Sequence, residues 1–247
     1  MFNRNCRRSF AAVFIALLFA GNAAAADREK LRVLFVGNSL TYVNDVPAIV
    51  TAIADADGRK QISYQTVAFP DFSLEDHWNQ GDAIKAIATG HWDFVVLQQG
   101  PSALPESRVL LLEYTRRFSA TIRRAGARPA LYMVWPSSDR QGDFDRVSES
   151  YALASKEVDG LLFPVGDAWR AVWRHNAALA LYSADGLHPT VIGSYLAALV
   201  IYESLCACAP AKLPKRLMVK SKTLREINVS AEDAERLQQA ALEVRRQ

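Results

Sequence analysis

The stretch Arg32–Asp45, "RVLFVGNSLTYVND", decides the fold. A run of Val, Leu and Phe stops at Gly37, and Ser39 follows where a helix-like pattern begins. A short apolar run that ends at a glycine reads as a strand buried on both faces. Two roles are then open to the serine. Ser is among the favoured N-caps, so Ser39 can simply cap the next helix. Alternatively the strand presents it as a nucleophile at the edge of a sheet.

The chain on either side repeats the pattern. "ISYQTVAF" (62–69), "DFVVLQ" (93–98), "ARPALYMVW" (127–135) and "GLLFPVG" (160–166) read as four further strands. Helix-length segments lie between them, at about Val46–Ala56, Asp82–Ala88, Glu106–Ala125 and Phe144–Val158. A strongly helical segment runs from Pro189 to Cys206, with Pro at its first turn. "SAEDAERLQQAALEVRR", from Ser230, begins with a Ser cap and continues as an amphipathic helix. Alternating strands and helices predict an α/β fold: a three-layer α/β/α sandwich around a mostly parallel, flavodoxin-like five-stranded sheet. Ligands in such sheets bind outside the carboxyl ends of the strands. Those ends carry "GNSLT", "FPDFS", "QQGPS", "WPSSD" and "GDAW".

The whole chain narrows the classes. It has 247 residues, half hydrophobic and 22% charged, which suits one larger globular domain. Arg4, Arg7 and Arg8 precede the apolar "FAAVFIALLFA" (10–20), and "GNAAAAD" follows. This tripartite pattern is that of a secretory signal peptide over 1–26, leaving a single domain over 27–247. The apolar run is short for a membrane span. An exported protein, periplasmic or secreted, is therefore expected, with no stable membrane insertion after cleavage. Without the three leader arginines, 26 basic and 26 acidic residues remain. That balance argues against nucleic acid as a partner. Oligomeric state is not legible. The segment Lys212–Arg225 holds six basic residues and no acid, and reads as a solvated strip. Cys206 and Cys208 read as small apolar residues near a helix end, since a bond between residues two apart is strained.

A second cluster lies towards the other end, in "ADGLHPTVIGSYLAA" from Ala184. His188 stands just before Pro189 at the mouth of the long helix, and Asp185 is three residues earlier. A serine nucleophile needs a base to take its proton and a carboxylate to orient and stabilise that base. A short turn lets the carboxylate reach the ring. A neighbouring Asp185 also offsets the helix N-terminus, which disfavours a charged imidazole.

Together "GNSLT" after the first strand and D-x-x-H-P before the last long helix resemble the SGNH hydrolase superfamily, also called the GDSL lipase/esterase family. The following Pro189, Gly193 and Ala198 match its last block as well. Thr41 stands where a G-x-S-x-G elbow would carry its second Gly, so the resemblance is not to the α/β-hydrolases. The resemblance implies Ser39 as nucleophile, His188 as base and Asp185 as its orienting carboxylate. It also implies an oxyanion hole. The Ser39 backbone N–H belongs to it, together with a Gly after the second strand and an Asn after the third. Here the second strand leads into "AFPDFSLEDHW", without that Gly, and Pro70 has no N–H to donate. Asp71 or Phe72 is then the backbone candidate. Gln98 and Gln99 stand in the Asn slot, and either could donate a side-chain amide. A Gln-Gln version with "SLxxHW" resembles a bacterial exported subgroup of the superfamily.

The expected activity is a serine-dependent carboxylic-ester hydrolysis through an acyl-enzyme, without cofactor or metal. The expected partner is a small-molecule or glycan ester, with an acylated saccharide first and lipid esters or thioesters beside it. Trp135 and Trp169, near strand ends, are candidate platforms for a sugar ring or acyl chain. His77, His91 and His175 show no metal-ligand spacing and read as structural. The alternative is a catalytically weak relative that binds an envelope glycan or lipid, favoured by the missing Gly. A nucleotide-binding flavodoxin-like protein is third, and lacks a Gly-rich phosphate loop.

Overall fold

The computed structural model describes residues 28–210, 213–214, 216–221 and 224–245. The leader therefore lies outside the described residues. Five strands form the central sheet: β1 (Glu29–Gly37), β2 (Lys60–Ala68), β3 (Phe94–Leu97), β4 (Arg128–Met133) and β5 (Leu161–Pro164). Their order is β2-β1-β3-β4-β5, and every pairing is parallel. This is the flavodoxin-like order, in which the chain switches direction between β1 and β3. The crevice above that switch is where such sheets bind ligands. Residues 33–36 of β1 and all of β3 are buried, as expected for central strands covered on both faces.

The helices are α1 (Ser39–Tyr42), α2 (Val46–Asp57), α3 (Leu74–Gln80), α4 (Asp82–Thr89), α5 (Pro105–Arg124), α6 (Phe144–Glu157), α7 (Val165–His175), α8 (Val191–Cys206) and α9 (Ala231–Arg245). α2, α7, α8 and α9 pack together as one layer, and α3 to α6 as the other. α8 is apolar all round and almost wholly buried, the pattern of a central helix. Among the described residues no helix is long and apolar enough to cross a membrane.

Thr190 is the N-cap of α8, so Pro189 precedes the helix rather than standing in its first turn; three further features differ from the sequence reading. α7 begins directly at the end of β5, so Val165 and Gly166 are helical rather than strand. Gly166 permits that close junction, because a Cβ there would sit 2.4 Å from the Val134 carbonyl oxygen. The basic strip is also more than a solvated run. It contributes β6 (Arg216–Lys220), which pairs antiparallel with β7 (Leu224–Asn228) beside α2. Leu217, Val219 and Ile227 turn inward while Arg216, Met218 and Lys220 face out. Charge dominated the composition there, but the period-2 burial decided the structure. Thirdly, Cys206 and Cys208 are joined in a disulfide. Ala207 between them adopts a left-handed conformation (φ 52°), which brings the two Cα atoms to 5.0 Å, inside the range a disulfide spans.

Candidate active site

β1 delivers its last residue, Gly37, into a tight turn. A Cβ at Gly37 would lie 2.4 Å from both Gln98 Oε1 and Thr41 Oγ1, so only glycine fits. The next residue, Asn38, is the N-cap of α1, and its side chain accepts from Leu40 N. The capping role thus belongs to Asn38, and Ser39 occupies the first helical position. A backbone N–H at that position has no intrahelical acceptor. The Ser39 N–H is therefore available to a group bound above the sheet.

The Asp185–His188 turn is a compact hydrogen-bonded unit. Asp185 Oδ2 lies 2.7 Å from His188 Nδ1, and Oδ1 accepts the backbone N–H groups of Leu187 and His188, each at 2.9 Å. Ser183 Oγ joins the unit at 3.0 Å from Asp185 Oδ1. The Leu187 and His188 donors hold the Asp185 carboxyl far below the usual carboxylate range. Engaging Nδ1 leaves Nε2 as the ring nitrogen free to exchange a proton. The turn is pinned to the sheet and to the nucleophile side. Trp135 Nε1 donates to the Leu187 carbonyl at 2.9 Å, and Ser138 N to the Gly186 carbonyl at 2.8 Å. Asn44, five residues past Ser39, donates to the Pro189 carbonyl at 3.1 Å and to Ser194 Oγ at 3.0 Å. The structure thus brings Asp185 and His188 together and ties their loop to the segment after Ser39. Among the described residues no hydrogen bond joins Ser39 to His188. Catalytic hydrogen bonds are often long before substrate binds.

The two glutamines have other occupations, which corrects the expectation that one of them donates to an oxyanion. Gln98 is wholly buried. Its Oε1 accepts from Asn38 N and Thr41 Oγ1, both at 2.8 Å, and its Nε2 donates to Asn38 Oδ1 and the Gln99 carbonyl. One amide proton is spent in the turn around Ser39 and the other on the Gln99 carbonyl. Gln99 does line the cavity, but its Nε2 is directed to Ser102 Oγ (2.8 Å) and the Ser107 carbonyl, and its Oε1 accepts from Leu74 N. The two residues shape the site rather than donate into it. Asp71 also lines the cavity. It adopts φ 60°, the left-handed region that glycine usually fills.

Trp135 and Trp169 do not form an exposed platform. Both are fully buried and stack on each other at 3.7 Å between ring centroids. The apolar area they bury outweighed any surface role, and Trp135 instead supports the His188 loop. Two residues the sequence reading missed are Asn44 and Ser102, with φ 58° and 59°. Asn44 carries a usable signal, since "VND" before Pro47 joins two residues that tolerate left-handed backbone.

A cavity of about 510 Å³ opens above the carboxyl ends of β1 and β3, with Ser39 in its wall. Leu40, Phe72, Ala103, Leu104, Leu110 and Leu187 supply apolar surface. Many of its polar side chains are already committed to the protein. Ser73 bonds Asp76, Ser107 Oγ donates to the Leu104 carbonyl, Ser102 Oγ to the Gly100 carbonyl, and Arg140 to Asp143.

A parallel five-stranded sheet with a serine at the switch point and an Asp–His pair on a facing loop has the layout of an α/β/α serine hydrolase. The fold is that of the SGNH, or GDSL, hydrolase superfamily. No protein-family model matches it, and no curated protein does. Solved structures do. A protein assigned to the SGNH hydrolases, from Slackia heliotrinireducens, is 29% identical, with a TM-score of 0.61 over 72% of this chain and 100% of that one. A DUF4886 family protein from Bacteroides uniformis is 18% identical, with a TM-score of 0.71 over 87% of this chain and 95% of that one. An acetylxylan esterase from Geobacillus stearothermophilus is 12% identical, with a TM-score of 0.53 over 73% and 94%.

Proposed function

We propose that the chain is a serine esterase that hydrolyses carboxylic esters or thioesters through an acyl-enzyme. The observation that carries this reading is the 2.7 Å Asp185–His188 contact on a loop tied to the segment after Ser39. Ser39 Oγ attacks the acyl carbonyl carbon while its proton passes to His188 Nε2. Asp185 holds the imidazole in the required tautomer and stabilises the imidazolium. The oxyanion is met by the Ser39 N–H and the backbone of the Asp71 bend. Collapse breaks the bond to the leaving group, which takes the proton from His188. Water then gives a proton to His188, attacks the acyl-enzyme and releases the acid, restoring Ser39. The reaction as written needs protein groups and water alone.

The substrate side of the proposal is an apolar acyl group. Leu40, Phe72, Ala103, Leu104, Leu110 and Leu187 give the cavity apolar wall, and many of the polar groups beside them have internal partners. An acylated saccharide drew its support from export and from Trp135 and Trp169, and both tryptophans are buried. The binding-module alternative rested on the missing glycine, and Asp71 adopts a left-handed backbone there without one. Export belongs to the proposal as well. The leader pattern supports it, and so does the Cys206–Cys208 disulfide, which an oxidising compartment would preserve.

Reaction of the folded protein with an alkyl fluorophosphonate, followed by peptide mass mapping, tests the reading. A stoichiometric adduct on Ser39, absent in Ser39→Ala, is expected. Folded protein that gains no adduct overturns it.

A further inference from the structure

We propose that His77 is a positioning residue that sets the nucleophile turn; the idea rests on the reading of Ser39 as nucleophile. His77 sits on α3, four residues after the N-cap Ser73, and is fully buried. Its Nε2 lies 2.8 Å from the Gly37 carbonyl oxygen, which also accepts from Phe69 N at 3.2 Å. A carbonyl can only accept, so Nε2 carries the proton. Nδ1 is buried with no partner. Burial holds the imidazole below its ordinary pKa, against the attraction of Asp76 and Asp82. The ring is therefore a neutral donor with one task.

That task is specific because of what stands at the other end of the same peptide unit. The Gly37 carbonyl and the Asn38 N–H belong to one planar group. His77 grips the oxygen, and Gln98 Oε1 accepts the N–H at 2.8 Å. Two side chains, from α3 and from the end of β3, thus fix the plane at both poles. Asn38 is then fixed too, by Leu40 N and Gln98 Nε2 on Oδ1 and by Nδ2 donating to the Phe72 carbonyl. With Asn38 immobile, the direction of the Ser39 N–H and the place of its Oγ are set.

His77 also reaches the opposite wall of the site. Its ring packs against Phe69 (5.9 Å) and Phe72 (5.1 Å), which flank the Asp71 bend. One side chain therefore references the nucleophile turn and the oxyanion-side loop to each other. A leucine or phenylalanine would fill the volume, but would leave the Gly37 oxygen held by the longer Phe69 N–H contact alone. This explains why a buried position tolerates a histidine with an unpaired nitrogen, which costs free energy.

The test compares His77→Phe, which keeps a ring and removes the donor, with His77→Gln, which restores an amide donor. Four quantities are read in each: melting temperature, kcat and KM on short aryl esters, and hydrogen–deuterium exchange of the peptide covering Gly37–Thr41. His77→Phe should lower kcat ten- to a hundredfold with KM within about twofold. Exchange at Gly37–Thr41 should rise well beyond any change elsewhere, and His77→Gln should recover most of both effects. Wild-type kcat and local exchange in His77→Phe would overturn the proposal. Equal losses in both variants, tracking melting temperature alone, would also overturn it by assigning His77 a purely structural role. If His77→Phe does not fold, His77→Leu replaces it against His77→Gln. If the wild-type protein turns over no ester and takes no fluorophosphonate, the esterase reading fails, and the exchange data still decide the positioning claim.

Discussion

Asp185 Oδ2 stands 2.7 Å from His188 Nδ1, and the turn that joins the two residues contains the main donors that keep the carboxylate charged, with Ser183 Oγ beside it. The pair is assembled locally, whereas the tie between its loop and the segment after Ser39 is tertiary. Substitutions at the three residues should therefore act as one unit. Ser39→Ala and His188→Ala should each lower kcat about 10⁴–10⁶-fold on short aryl esters, with the double variant little worse than either. Asp185→Asn should be severely impaired as well, because it disfavours the correct tautomer. Additive losses in the double variant would break the scheme.

Glu203 gives a pH signature in stability. It is buried on α8 with neither carboxylate oxygen hydrogen-bonded, and burial raises its pKa from 4.5 to about 7, with Arg245 pulling the other way. Between these two values the folded chain retains a proton that the unfolded chain has released. Stability should therefore be full below about pH 4.5, fall as pH rises towards 7, and level off above. Glu203→Gln should remove that fall and be more stable than wild type at pH 8 by up to about 3 kcal/mol. Denaturant midpoints at pH 5 and pH 8 check this; an unchanged pH dependence in the variant would refute it.

The two glutamines should separate cleanly. Gln98→Ala strips partners from Asn38 N, Asn38 Oδ1 and Thr41 Oγ1 and opens a buried void. It should cost about 2–4 kcal/mol in urea unfolding and lower kcat together with it. Gln99→Ala should instead loosen the loop around Ser102, seen as a change in KM along a series of acyl-chain lengths. A larger kcat loss in Gln99→Ala at full stability would reinstate it as an oxyanion donor.

Trp135→Phe removes one hydrogen bond, the one to the Leu187 carbonyl, while keeping most of the ring stack with Trp169. The expected cost is about 1 kcal/mol of stability. The kcat should fall more than KM rises, because the freed loop carries His188. Steady-state kinetics at matched folded fraction would show it. An unchanged kcat would detach the tryptophan from the site.

Acyl preference follows from the walls of the cavity. Each methylene buried should tighten binding about fourfold until the space is filled. A series of p-nitrophenyl esters from acetate upward should show kcat/KM rising with chain length before it falls. A maximum at acetate would favour the saccharide deacetylase over the apolar acyl substrate.

Much of this was legible in the residues. The five strand cores and the Asp185–His188 spacing are local patterns, and local patterns survive into the fold. What failed was whatever depended on distant neighbours. Gln98 and Gln99 look alike in sequence. Their amide protons are claimed by Asn38, Gln99, Ser102 and Ser107, a fact that only packing decides. Trp135 and Trp169 lie near strand ends, but α7 and the His188 loop close over them. His77 read as merely structural because its acceptor, Gly37, is 40 residues away.

The joint between Asn44 and Pro189 spans 145 positions of the chain. Contacts of such separation form late, after the costly closure of long loops, whereas a three-residue turn closes early. On the proposed mechanism the Asp185–His188 relay would form early in a nascent chain, and its alignment with Ser39 would come among the last events of folding. The chain would then stay chemically silent until its architecture is finished, the serine turning reactive only together with the native state.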